Sequence, residues 1–299
     1  LIWARFGQGI VVLLLLSGLC FWLFQEAPGD FLTEAGLDPS MSPETLEALR
    51  RQRGLDRPMA VRYLEWLGSG LKGDWGHSLT YQRPVSELLS GRAAKTAALN
   101  LAALALAWLV AIPAAYWRTR HLRGAAGRAA SGTLHLLSAA PDLLVALGGL
   151  WLAMHTGWFR TGGSFALASI SLTLLLLSPV FRHAEAAFRE ALRQPYVWFA
   201  MGCGVRGWRL ACYWLLPATW GSLSALLGLQ LAAAFSASLI VEVVLSWPGL
   251  GPLLLESVLS RDYPVVTGAV LLSAVALLTG NLFAEVLHRL ADPRLRGWQ

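Results

Sequence analysis

Three carboxylates interrupt long apolar stretches of this chain: Asp142, beside Pro141, then Glu242 and Glu285. A charge at the centre of a bilayer costs about 3 kcal/mol on insertion scales, so each needs a partner or a task. Asp142 is expected to lie deepest. Its carboxylate can attract an amino group or a cationic solute, act as a general base, or carry a proton; it can equally accept hydrogen bonds from a neighbouring helix or from backbone freed by the proline. Glu242 and Glu285 lie toward the outer and inner ends of their apolar runs, within reach of polar surroundings. Other chemistry is poorly provided for. The six histidines are scattered, with no H-E-x-x-H pair, and Cys20, Cys203 and Cys212 form no metal-ligand cluster. There is no G-x-x-x-x-G-K-S/T phosphate loop and neither lysine, Lys72 or Lys95, follows a glycine, so ATP is not expected to bind here by that motif.

The segment 181–217 is of another kind. It is basic and part-polar between apolar runs, with Arg182, Arg189, Arg193, Arg206 and Arg209 set against Glu185 and Glu190. At about 35 residues it is far longer than a turn between neighbouring helices requires, so it should hold structure of its own. Ala184 to Arg193 favours a helix, Pro195 interrupts, Tyr196 to Gly202 makes a second short helix, and Gly202 with Gly204 ends it.

These elements need a mounting, and the composition says what it is. With 56% hydrophobic and 14% charged residues and a mean hydropathy of +0.52, the chain is too apolar for an ordinary soluble domain, in which about a quarter of residues are charged. An all-α protein of six transmembrane helices is expected. The runs are Ile10–Phe24, Ala97–Trp117, Ala130–Met154, Ser164–Val180, Pro217–Val244 and Val265–His288. A cleaved leader is the alternative for the first, but Gln25-Glu26-Ala27-Pro28 lacks a small-x-small cleavage site. By stretches, 1–26 is the first span, 27–95 an extracytoplasmic amphipathic region, 96–290 the core and 291–299 a tail. Within 27–95, Ser42-Pro43-Glu44 opens a helix that Gly54 closes, and a second starts at Pro58. In this arrangement 13 Lys and Arg face the cytoplasm, while the two short outer loops carry only Arg160 and Arg261. Both termini are then cytoplasmic. Ser224, Gly228, Ala232 and Ser236 form a stripe of small residues that either packs a neighbouring helix closely or lines a path.

The sequence resembles a known family in several places. Ala200, Gly204 four residues on, and Trp214-Leu215-Leu216-Pro217 fit the signature loop of binding-protein-dependent ABC importer permeases. Gly54-Leu55-Asp56-Arg57-Pro58, Gly73-Asp74-Trp75-Gly76-His77-Ser78, Trp247-Pro248-Gly249-Leu250-Gly251, Arg261-Asp262-Tyr263-Pro264 and Asp292-Pro293-Arg294 are similar to the dipeptide, oligopeptide and nickel branch. Trp198 and Phe199 depart from the general pattern, which has an acidic residue and an alanine there. The turn between the third and fourth spans is also shorter than usual.

The resemblance implies a type I ABC importer permease fold in a bacterial inner membrane. It implies a second homologous permease, two ATPase subunits that hold ATP and Mg, and an extracytoplasmic solute-binding protein; no nucleic acid is expected as a partner, and no cofactor or metal on this chain. Arg193, Tyr196, Ala200, Gly204, Leu216 and Pro217 would form the loop that docks on an ATPase. Asp74, Trp75, Trp247, Pro248, Gly249, Asp262 and Tyr263 would surround the outer mouth. Asp142, Ser224, Gly228, Ser236 and Glu242 are the candidates for the path. The solute would be a peptide, with nickel, a metal chelate or another small solute as alternatives. An intramembrane enzyme and an ion-coupled carrier are the rivals from other classes.

Overall fold

The computed structural model describes residues 2–26, 58–120, 132, 140–157 and 163–291. The predicted helix from Ser42 to Gly54, the Arg123, Arg128 and Arg160 positions, and the tail with Asp292-Pro293-Arg294 lie outside the described residues. All regular elements among the described residues are helical: α1 Ile2–Glu26, α2 Met59–Leu71, α3 Val85–Arg120, α4 Asp142–Thr156, α5 Phe165–Ala191, α6 Pro195–Gly202, α7 Gly207–Leu210, α8 Leu216–Val244, α9 Leu250–Leu259 and α10 Tyr263–Ala291. A π-helical turn, Ala211–Leu215, joins α7 to α8.

Among the described residues, five stretches of helix are long and apolar enough to cross a membrane: Arg5–Phe24, Val85–Arg120, Phe165–Ala191, Gly207–Val244 and Tyr263–Arg289. The described part of the expected third span is only α4, 15 residues long. Two boundaries differ from the sequence reading. Helix α3 starts at Val85, ahead of the apolar run, and α5 continues through Pro179 to Ala191, so the helix expected over Ala184–Arg193 is the end of α5 and not a helix of its own. A proline interrupts a helix only where its lost bond is not offset, and here Val180 and Phe181 beside it are fully packed.

The chain forms two compact units. The first comprises residues 1–95 and 248–276. In it α2 packs along α1, and residues 72–84 make a tight irregular loop ending on α3. Glycine is required where the chain crowds: a Cβ on Gly268 would lie 2.8 Å from Leu89 and 2.9 Å from Val85.

The second unit comprises residues 96–247 and 277–299. Here α4, α5 and α8 pack against one another. Leu99, Ala103, Ala107, Ala111 and Ala115 recur every fourth residue on α3 and are all buried. Such a stripe lets helix backbones approach closely. Its upper part packs with Ala146, Leu172 and Val241, and its lower part with Phe181, Phe188 and Leu215. On α4, a Cβ at Gly149 would come 2.6 Å from Ser171 Oγ.

Candidate functional site

The 192–217 segment is built by its caps. The Gln194 backbone is extended and Pro195 occupies the first turn of α6, where its missing N–H costs no intrahelical bond. At the other end Val205 N–H donates to Ala200 O (3.1 Å) and Gly204 N–H to Met201 O (3.0 Å). That pair of bonds is a Schellman motif, whose C′ residue takes the left-handed conformation. Gly204 supplies it, with φ +84°. The four-residue spacing from Ala200 to Gly204 is thus the spacing of a helix stop.

Helix α6 has two faces. Val197 is buried in the core with Phe188 and Leu210, and Ala200 is buried on the same side. Tyr196, Trp198 and Phe199 point outward, the last two being 66% and 72% exposed. Trp198 Nε1 donates to Leu192 O at 2.6 Å, which fixes that indole while leaving its ring open. Arg193 is exposed, 3.7 Å from Glu190. Leu216 and Pro217 open α8. The π-helical turn before them carries an i to i−5 bond, Leu216 N–H to Ala211 O, and this wider register accommodates the proline that follows.

Residues that sequence reasoning passed over hold this segment to its neighbours. The Tyr116 hydroxyl donates to Gly207 O (2.5 Å) and accepts from Arg120 Nη1 (2.9 Å). Its ring lies edge-on to Phe188 and Trp208. Close by in sequence, Arg118 and Glu185, 8% and 9% exposed, approach to 3.8 Å, and Arg189 closes on the same carboxylate at 2.5 Å. The signal for them in the sequence is a tyrosine beside two arginines, Arg118 and Arg120, at the end of an apolar run.

In the first unit, Asp74 Oδ1 accepts from Gly76 N–H (3.0 Å) and shapes the turn after α2. Trp75 meets Trp66 edge-on. Asp262 is wholly buried and accepts from the Ser78 hydroxyl and from Thr80 N–H (3.0 Å). Thr80 Oγ1 also donates to Ser260 Oγ (3.1 Å), and the Tyr81 hydroxyl to Glu256 Oε2 (2.6 Å). The bond to Glu256, followed by burial and the carboxylate's charge, pushes the Tyr81 phenol up to about 12. Tyr263 packs its ring at a tilt on Phe24, with centroids 4.6 Å apart. Ser78, Thr80, Tyr81 and Glu256 were not among the expected site residues. Gly249 caps α9 and Pro248 is half-buried, while Trp247 belongs to the second unit and packs on Phe165.

The path candidates are not gathered at one place. Asp142 stands in the first turn of α4, where free N–H groups favour a carboxylate, and not in a helix interior. Ser224 Oγ is 2.8 Å from His288 Nδ1, and a Cβ on Gly228 would be 2.9 Å from Ala284 Cβ, so both occupy the seam of α8 with α10. Ser236 is exposed. Glu242, expected to reach polar surroundings, is completely buried. Ser238, unremarked in the sequence, accepts from Asn100 Nδ2 (3.1 Å) and bridges α8 to α3.

Long apolar helices with a capped short helix between two of them describe a membrane protein, and comparison with known proteins gives its class. Residues 103–297 match the family described as binding-protein-dependent transport system inner membrane component, and residues 1–100 match its N-terminal companion. The chain belongs to this family and is a multi-pass inner-membrane permease subunit. It is 31% identical to a Brucella ovis protein named as a candidate peptide permease, over 96% of each chain. It is 29% identical to the oligopeptide transport system permease protein AppB of Bacillus subtilis, again over 96% of each. It is 30% identical to the glutathione transport system permease protein GsiC of Salmonella typhimurium, over 96% of this chain and 95% of that one.

Proposed function

We propose that this chain forms half of the translocation path of an ATP-driven importer for a peptide-like solute. It pairs with a second, related permease, and a binding protein delivers the solute at the outer face. Two ATPase subunits on the cytoplasmic side hold ATP and Mg. The observation that carries the reading is α6: a helix closed by Gly204, anchored by Val197 and Ala200, that turns Tyr196, Trp198 and Phe199 outward. An apolar, rigidly capped projection of this size suits a groove on a partner subunit. The names of the relatives support a peptide as the solute class.

The chain crosses the membrane six times, with both termini, the Arg118 end of α3 and the 192–217 loop in the cytoplasm. Closure of the ATPase pair on ATP moves α6. Because α6 shares a core with the ends of α3, α5 and α8, the motion reaches the spans as a rigid displacement and opens the path outward; hydrolysis resets it. Asp142, half-exposed at the start of α4, attracts the amino group of an entering solute.

Purification of the tagged chain from its native membrane in mild detergent, with mass spectrometry of what remains bound, tests the reading. ATPase subunits and a second permease should be recovered, and a co-purifying binding protein can be screened for peptides. A chain recovered alone and active through several detergents refutes it.

A further inference from the structure

The outer turns of α3 carry an arginine where a packed side chain is expected. At 100° per residue, Val85, Leu89, Arg92 and Thr96 fall within an arc of about 60°. The other three of that row are buried, and Val85 and Leu89 stand close against Gly268 of α10. The exposed side of α3 lies opposite: Glu87, Ser90, Ala94, Ala98 and Leu101 fill an arc of about 80° centred half a turn away. Arg92 itself is only part-buried. The packed row therefore opens at its level, and it opens away from the exposed side of the helix.

The guanidinium at this opening is unanswered by the chain. Among the described residues Arg92 makes neither a hydrogen bond nor an ion pair. The carboxylates around it are engaged elsewhere: Glu87 Oε1 lies 3.8 Å from Arg83 Nη1, Glu256 accepts from the Tyr81 hydroxyl at 2.6 Å, and Asp262 accepts from Ser78 and Thr80. The charge is nevertheless felt in this corner, since the Tyr81 phenol, pushed up by its bond to Glu256 and by burial, is drawn down by Arg92. An arginine offers five N–H donors in a planar fork, which fits a carboxylate through two parallel bonds. Holding such a cation part-buried with its donors bare is costly unless an anion meets it.

We propose that Arg92 is a carboxylate-binding residue at the outer mouth, and that the group it takes is the terminal carboxylate of the solute. The side on which it opens decides between occupants. A lipid phosphate would approach from the exposed side of α3, half a turn away, and a part-buried guanidinium admits a small anion more readily than an acidic loop of a partner protein. The identity of the solute rests on the peptide-importer reading; the presence of an anion site does not.

The test uses the complete complex, purified with its partner subunits and treated with phenylglyoxal, an arginine reagent, with adducts at Arg92 and Arg83 followed by mass spectrometry of the digested chain. Trialanine and acetate should slow modification of Arg92 severalfold, trialanine amide should not, and exposed Arg83 should react at one rate throughout. Equal protection by the amide, no protection by either carboxylate, or an Arg92 that never reacts overturns the proposal. So does reaction in detergent that disappears in phosphatidylglycerol vesicles, which assigns the guanidinium to a lipid headgroup. Protection by acetate without protection by trialanine keeps the anion site and overturns the peptide as its ligand. In reconstituted importer supplied with saturated binding protein, Arg92→Gln should lower trialanine uptake by about ten- to a hundredfold and leave uptake of the amide unchanged, with Arg92→Lys in between. Equal losses for both solutes assign Arg92 to packing. The protection assay needs no variant, so it decides the matter even where Arg92→Gln fails to assemble.

Discussion

Gly204 offers the sharpest test of how the exposed helix is held. Its φ of +84° is the conformation that the stop of α6 demands, and no atom lies within 4 Å of where a Cβ would be. A side chain there therefore meets no obstacle within the chain, and the whole effect should come from the backbone. For an L-residue the left-handed region costs roughly 1–2 kcal/mol, less for asparagine, whose short polar side chain bonds locally. A loss of one or two kcal/mol lowers the ratio of correctly closed to opened loop by a factor of about 5–30. If α6 couples ATP turnover to movement of the spans, reconstituted importer should show uptake per ATP falling in the order Gly204, Gly204→Asn, Gly204→Ala, Gly204→Val. The assay is uptake and ATP hydrolysis measured on the same vesicles. Full coupling in Gly204→Ala refutes the reasoning. An order that follows side-chain volume, with Gly204→Asn worse than Gly204→Ala, shows instead that the partner's surface, and not the backbone, requires the glycine.

Other expectations rest on separate contacts. Tyr116→Phe keeps both ring contacts and loses the hydroxyl's bonds to Gly207 and Arg120, so uptake per ATP should drop while thermal stability falls by about 1–2 kcal/mol; an unchanged ratio assigns Tyr116 to packing alone. Glu185→Ala leaves buried Arg118 without that carboxylate and should cost about 3–5 kcal/mol in a detergent melt, whereas Arg118→Leu with Glu185→Leu recovers much of it. A melt unchanged by Glu185→Ala contradicts the buried pair. Gly228→Ala forces the α8–α10 seam apart and should destabilise by about 1–3 kcal/mol, with rescue by Ala284→Gly; no rescue means the crowding lies elsewhere. The Tyr81 phenol is raised from about 10 to about 12, so the stability it contributes is fully present below pH 10 and is lost as pH rises through 12. The difference in phenolate absorbance between the natural protein and Tyr81→Phe should titrate at the upper value, and an ordinary phenol titration would remove the Glu256 bond.

Much of this protein can be read along the chain, because what decides it is local. Apolar runs long enough to cross a bilayer, a proline opening α6 and a glycine four residues after Ala200 are properties of neighbouring residues, and α6 lies within a residue of where they put it. The start of α2 after Pro58 is of the same kind. Helix ends were less legible where packing overrides propensity: α5 continues through Pro179 because the residues around it are buried, and α3 reaches back to Val85 because that residue packs in a core. What only the tertiary structure decided are partnerships between distant positions. Asp262 takes its hydrogen bonds from Ser78 and Thr80, Tyr116 from helix α3 bonds the carbonyl of Gly207, and Ser224 meets His288. A polar side chain in an apolar helix announces that it needs a partner, since leaving it bare is costly. Which partner it finds depends on helix rotation and depth, and those are set jointly by every contact along the seam.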